Sequence, residues 1–178
     1  RNGEFGLTNT NRLVRFYRGA TGLKTGSTSK AKFCISATAK RDGMHLIAVI
    51  MGAPTRDIRN AEAAKLLDWG FANYSIYTYP PSEQESVKLL GSKNSILSCR
   101  TDGVSILVPK GASSKVTVET EMPDSVKAPI TAGDTVGKIT FSLNGERLGE
   151  ANIVSSATEN RISFQELFYI MLQRFILW

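Results

Sequence analysis

The stretch LKTGSTSKAKFCISATAKRDGMHLIAVIMGA, residues 23–53, decides the architecture of the first part of the chain. In FCISATAKR the side chains alternate in character, so that Phe33, Ile35, Ala37 and Ala39 fall on one face of a strand. MHLIAVIMG is a nearly continuous apolar run of strand length. Between the two stands Asp42-Gly43, a dipeptide suited to the positive φ angles of a tight hairpin turn. With LKTGSTS ahead of them, three consecutive antiparallel strands are predicted. A helix follows: Thr55 or Asp57 can cap it, and it runs to about Ala72. Along it Ala63, Leu66, Leu67, Gly70 and Tyr74 recur at helical spacing, giving an apolar stripe to cover the sheet.

Beyond Tyr74 the texture changes to IYTYPPSEQ. Pro80-Pro81 fits neither a helix interior nor a central strand, and a domain boundary is placed here. From Val87 to Ser156 come short β-rich runs (SILSCR, VSILVPK, KVTVETEM, TVGKITFSL, GEANIVS) separated by Gly, Asp and Pro, with Asn144-Gly145 as a two-residue hairpin turn. This spacing predicts a small antiparallel sandwich or barrel. The tail NRISFQELFYIMLQRFILW is of another kind. Phe164, Leu167, Phe168, Met171, Phe175 and Trp178 share one helical face, while Gln165, Glu166, Gln173 and Arg174 interrupt a membrane span. It reads either as an interfacial helix at a water–lipid boundary or as a helix folded back on a domain core.

The 178 residues carry a formal net charge of +6 and an ordinary apolar share of 42%, which fits two small units and argues against disorder. Lys and Arg are scattered, and no aromatic-basic module accompanies them, so nucleic acid is not an expected partner. Anionic lipid or cell-wall polymer suits the charge better. The two cysteines, Cys34 and Cys99, form no C-x-x-C pair, and the sole histidine, His45, lies inside an apolar strand. No metal site and no cofactor are expected.

One motif carries chemistry. Lys24-Thr25-Gly26 sets an ammonium and a hydroxyl where together they can hold a substrate carboxylate. Gly26 lets a ligand backbone lie against the strand, and the main-chain N–H groups after it can face an extended ligand or a developing oxyanion. In acyl-transfer enzymes this triplet accompanies a nucleophilic S-x-x-K and an S-x-N-type element. Here S-x-x-K occurs at Ser27-Thr28-Ser29-Lys30, and S-x-N at Ser92-Lys93-Asn94 and Ser142-Leu143-Asn144. A nucleophilic serine needs its lysine one helical turn later, facing the same cleft. Ser27 to Lys30 follows directly on the triplet and is read as continuing strand, which would put the two side chains on opposite faces. The S-x-N matches fall in or beside the β-rich part, and Asn144 is a turn residue.

LTNTNRLVRFYRGATGLKTGSTSKA, then SATAKRDGMHLIAVIMGAPT and RNAEAAKLLDWGFANY, resembles the low-molecular-mass penicillin-binding proteins that act as D-alanyl-D-alanine carboxypeptidases, without a gap from about Leu7 to Tyr74. APITAGDTVGKITFSLNGERLGEANIV resembles the small β domain that follows their catalytic domain. The resemblance implies an α+β chain in three parts. Residues 1–75 would be the C-terminal part of a β-lactamase/transpeptidase-like domain, 76–158 a small all-β sandwich, and 159–178 an amphipathic tail helix. In the family S-x-x-K comes first and K-T-G last, whereas here K-T-G stands at the front. The chain is therefore expected to match the C-terminal part of such an enzyme, with its nucleophile elsewhere and no signal peptide.

Carried over by position, Lys24 is the ammonium that bridges the family motifs and attracts the substrate carboxylate, and Thr25 hydrogen-bonds that carboxylate. Gly26 leaves room for the peptide, and Ser27 lends its main-chain N–H to the oxyanion hole. Arg59, in TRDIRNAEAAK, matches the arginine whose planar guanidinium helps hold the terminal carboxylate. Where the family commonly has glycine after Ala31, this chain has Lys32. The resemblance implies a serine-type hydrolase that trims D-alanine from peptidoglycan stem peptides and reacts with β-lactams. It also implies an extracytoplasmic place on the outer face of the bacterial cytoplasmic membrane, held through residues 160–178. Two alternatives stand beside it. One is a non-catalytic wall-facing β module with a membrane tail; the other is a β-lactamase, which leaves the β domain unexplained. An orphaned sheet edge would favour self-association.

Overall fold

The computed structural model describes residues 9–176, and they form two compact units. One holds the chain up to Ile76 together with Leu107–Ser113; the other holds Tyr77–Ile106 and the chain from Ser114 onward.

In the first unit a short helix α1 (Leu13–Phe16) precedes β1 (Ala20–Thr28), β2 (Lys32–Arg41) and β3 (Met44–Ala53), an antiparallel sheet in the order β1-β2-β3. Asp42 and Gly43 take φ values of 47° and 79°, the conformation of a tight hairpin turn, and Arg41 pairs with Met44 across it. The apolar run of β3 is not buried on both faces. Met44, Ala48 and Ala53 are buried, whereas His45, Ile47, Val49 and Met51 are exposed. His45 is a strand residue whose Nε2 lies 3.2 Å from the Thr21 hydroxyl.

Helix α2 (Arg56–Asn73) starts at Thr55, whose hydroxyl accepts from the Ile58 N–H. Its buried stripe is Arg59, Ala63, Leu67, Gly70 and Phe71, with Leu13, Ile35, Ala37, Ala39, Met44 and Ala48 completing the core. Leu66, expected on that stripe, is instead 49% exposed, because the stripe is centred on 63, 67, 70 and 71 and leaves 66 at its flank. At Gly70 helix and sheet approach so closely that a Cβ would stand 2.5 Å from Leu46 Cδ1. Truncation of Leu67, 1% exposed, would cost about 2–5 kcal/mol. Leu107–Ser113 belongs with this unit for a definable reason. The Lys110 N–H donates to Asn73 O at 2.8 Å and its ammonium to Phe71 O at 3.2 Å, satisfying carbonyls that the end of α2 leaves open.

The second unit is the β-rich one. A six-stranded sheet runs β8-β10-β11-β6-β5-β9, built from β5 (Ser82–Leu90), β6 (Ile96–Thr101), β8 (Val116–Glu121), β9 (Ser125–Lys127), β10 (Thr135–Leu143) and β11 (Glu146–Ser155). A further two-stranded ribbon is made of β4 (Tyr74–Tyr79) and β7 (Val104–Pro109). From that ribbon Tyr77, Tyr79, Val104 and Ile106 pack on Phe141, Ile139 and Ile153 of the sheet, a sandwich core in which Phe141 lies 5.3 Å from the Tyr79 ring. Asn144-Gly145 makes the β10–β11 turn, with φ values of 52° and 84°. Three strands escape the sequence reading: β4 occupies the stretch before Pro80-Pro81 that reads only as a domain boundary. β5 begins in the polar run SEQES just after Pro80-Pro81, and β9 is three residues long and pairs in parallel with β5.

The tail forms α3 (Phe164–Ile176), opened by a capping box. Ser163 Oγ accepts from the Glu166 N–H, and the Glu166 carboxylate accepts from the Ser163 N–H at 2.9 Å. Phe164, Leu167, Phe168 and Met171 are exposed along it, while the Phe175 side chain and Trp178 lie outside the described residues. Among the described residues no helix is long and apolar enough to cross a membrane.

Candidate functional site

β1 is an edge strand, so alternate main-chain N–H groups along it are open to an extended ligand. Its register fixes which way the motif side chains point. Thr25 pairs with Ile35, a residue buried beneath α2, and so shares the α2 face of the sheet, while Lys24 and Gly26 pair with Ser36 and Cys34 on the other. Arg59 enters from the first turns of α2 on the Thr25 side. It is 4% exposed; its Nε and Nη2 both donate to Asn60 Oδ1, at 3.1 and 2.9 Å, and its Nη1 lies 3.5 Å from Cys34 O.

These residues converge. A recess of about 180 Å³ is lined by Thr10, Lys24, Thr25, Gly26, Ser27, Arg56 and Arg59, so all five residues singled out from the sequence stand around one space. Thr10 and Arg56 were not foreseen. Thr10 reaches the recess from the loop before α1, and its hydroxyl lies 2.8 Å from that of Thr25, a contact no local periodicity reports. Arg56 sits in the same TRDIR run as Arg59, three positions away, which for a helix is one turn. A Cβ at Gly26 would meet no heavy atom within 4 Å, so the chain's own packing does not demand glycine there; its absence of side chain keeps the strand open.

The electrostatics are one-sided. Lys24, Arg56 and Arg59 line the recess, and among the described residues none of them has a carboxylate within 4.0 Å. Lys24 Nζ donates instead to Thr25 O at 2.7 Å. Burial, and next the neighbouring Arg56 cation, pull the Arg59 pKa below its ordinary value. A bound anion would offset both effects, and the hydroxyl of Thr25 offers it a neutral donor between the cations.

The other sequence candidates are built for other tasks. Ser27 lies in β1 and Lys30 in the β1–β2 turn rather than further along a strand, so the pair does not share a helical turn. Ser92 and Asn94 both donate to the Glu159 carboxylate, at 2.9 and 2.7 Å, and Lys93 pairs with Glu166 at 2.7 Å. That S-x-N element therefore ties the chain leading into α3 to the β5–β6 loop. Ser142 and Asn144 belong to β10 and its turn. Cys34 and Cys99 are free thiols in different units. Lys32, in place of the expected glycine, keeps a glycine-like φ of 53°.

Comparison with known proteins gives a consistent result. Residues 1–55 match the family model of D-alanyl-D-alanine carboxypeptidase, and residues 80–161 that of the C-terminal domain of penicillin-binding protein 5. The D-alanyl-D-alanine carboxypeptidase DacF of Bacillus subtilis is 36% identical over 165 residues, which cover 90% of this chain and 42% of that protein. DacA of Haemophilus influenzae is 36% identical over 137 residues, 74% of this chain and 35% of that one. The crystal structure of penicillin-binding protein 5 from Haemophilus influenzae superposes with a TM-score of 0.73 at 29% identity, over 85% of this chain and 46% of that one. The chain thus spans less than half the length of these relatives. By sequence and fold it is similar to the C-terminal portion of the D-alanyl-D-alanine carboxypeptidases.

Proposed function

We propose that this chain supplies the carboxylate-binding wall of a serine-type D-alanyl-D-alanine carboxypeptidase, and that the serine acylated in the reaction is not among its residues. The observation that carries this reading is the convergence of Lys24, Thr25, Gly26, Ser27 and Arg59 on one recess whose three cations have no carboxylate within 4.0 Å among the described residues. A peptide ending in D-alanine lies along the edge of β1. Its terminal carboxylate takes the Thr25 hydroxyl and the Arg59 guanidinium, and Lys24 adds charge from the opposite face of the strand. The main-chain N–H of Ser27 contributes to the oxyanion hole, where it stabilises the charge that develops as the acyl-serine forms. β-Lactams occupy the same wall through their own carboxylate.

The exposed apolar side chains of Phe164, Leu167, Phe168 and Met171 support a membrane-surface role for α3, on the outer face of the cytoplasmic membrane. The exposed row Ile47, Val49 and Met51 on edge strand β3 supports association with further protein, a second copy of this chain included.

Incubation with a fluorescent penicillin, followed by a denaturing gel and intact mass, tests the assignment of the nucleophile. No adduct is expected on the 178-residue chain alone. When the complementary N-terminal portion of the enzyme is supplied, label should appear on that portion; stoichiometric acylation of Ser27 would overturn the reading.

A further inference from the structure

A second recess adjoins the first. It measures about 500 Å³, within the range of small-molecule sites, and shares Thr10, Arg56 and Arg59 with the Lys24–Thr25 recess. Its remaining charged lining is Arg12 and Arg15 from the start of the described chain and Asp57 from α2. Four guanidiniums therefore face one carboxylate, and that carboxylate is already engaged by Arg12 at 3.3 Å. Neither Arg15 nor Arg56 has a carboxylate within 4.0 Å among the described residues. So much positive charge, most of it unpaired and walled by Arg59 at 4% exposure, is a disposition that an anion relieves.

We propose that this larger recess is a second anion subsite, taking a second carboxylate borne by the C-terminal residue of a peptide. The proposal rests on the reading of the smaller recess as the seat of the terminal carboxylate. With that group between Thr25 and Arg59, a side chain on the same residue has the shared wall of Thr10, Arg56 and Arg59 beside it and the larger recess beyond. Alanine leaves that space empty. A carboxylate on a short side chain enters it and meets Arg15 and Arg56, whose planar forks suit two-point pairing with carboxylate oxygens. The subsite thus selects anionic terminal residues larger than alanine.

Three peptides separate the possibilities: acetyl-D-Ala-D-Ala, acetyl-D-Ala-D-Glu and acetyl-D-Ala-D-Gln, titrated against the 178-residue chain at low salt by calorimetry or NMR. The D-Glu and D-Gln peptides have the same shape and differ in one charge. The D-Glu peptide is expected to bind about tenfold more tightly than the D-Gln peptide, and Arg15→Gln, an exposed position, to reduce that ratio to about twofold. Equal affinities for the two, or a ratio that survives both Arg15→Gln and Arg12→Gln, would overturn the subsite. If the D-Ala peptide shows no dependence on its terminal carboxylate while the D-Glu preference persists and falls in Arg15→Gln, the subsite stands and the reading of the smaller recess fails. If the D-Ala peptide binds through its carboxylate and the ratio is one, only the subsite fails.

Discussion

The hydroxyls of Thr10 and Thr25 lie 2.8 Å apart, joining the loop before α1 to the edge strand that carries the Lys24-Thr25-Gly26 motif. One hydroxyl donates to the other. If Thr10 is the donor, the Thr25 proton is left pointing to the recess, the orientation a carboxylate requires. Thr10 is then a positioning residue for Thr25.

Thr10→Val removes that partner and keeps the shape. It is expected to weaken binding of acetyl-D-Ala-D-Ala by about fivefold, the worth of one neutral hydrogen bond of about 1 kcal/mol, with Thr10→Ser restoring it. The corresponding C-terminal amide should be insensitive to either change. A purely structural role for Thr10 would move both ligands together.

Arg59 presents a different balance. Its guanidinium is held by the two bonds to Asn60 Oδ1, and its side chain is nearly enclosed. Arg59→Lys keeps a positive charge but loses the planar fork, and is expected to lose about tenfold in affinity for the peptide carboxylate. Arg59→Ala additionally leaves Asn60 Oδ1 without its donor and opens a void. Urea unfolding should show a loss of about 1–3 kcal/mol for it.

Lys32 sits at φ 53°, where a side chain is strained and glycine is not. Lys32→Gly relieves that strain against the entropy of a freer unfolded chain, and thermal unfolding should show a gain of up to about 1 kcal/mol. A loss of stability would mean that the lysine side chain makes a compensating contact.

At the other end of the chain, Glu166 is held down at about 2 by the Lys93 ammonium first and then by the N–H and hydroxyl of Ser163. A carboxyl depressed from the usual 4.5 stabilises the start of α3 fully above that pH and ceases to do so as the pH falls through about 2. NMR titration of the Glu166 side chain should show that midpoint, and Lys93→Met should raise it toward the ordinary range. A midpoint near 4.5 in the unaltered chain would remove the clamp between α3 and the β5–β6 loop.

Much of this was legible in the residues themselves. The Asp42-Gly43 and Asn144-Gly145 turns impose their own backbone conformation, so the β2–β3 and β10–β11 hairpins follow locally. The same holds for Thr55 at the start of α2. What stayed hidden depends on distant partners. β9 exists only by pairing with β5, and the polar run at the start of β5 looks like linker until it is seen hydrogen-bonded to β6. Leu66 misled because apolar character does not say which side of a stripe a flanking residue takes. In the candidate site, the roles expected of Lys24, Thr25 and Arg59 rest on motif resemblance, whereas Thr10 and the arginines that have no carboxylate within 4.0 Å among the described residues emerge only when the loop before α1, β1 and α2 are brought together.

The carboxylate-binding claim has a direct measurement. Amide and arginine Nε resonances of the 178-residue chain are followed during titration with acetyl-D-Ala-D-Ala and, separately, with its C-terminal amide. Saturable shifts are expected at Thr25, Gly26, Ser27 and Arg59 with the carboxylate ligand, with little change with the amide and loss of the response in Arg59→Ala. Equal responses to the two ligands, or shifts that bypass these residues, would contradict the claim.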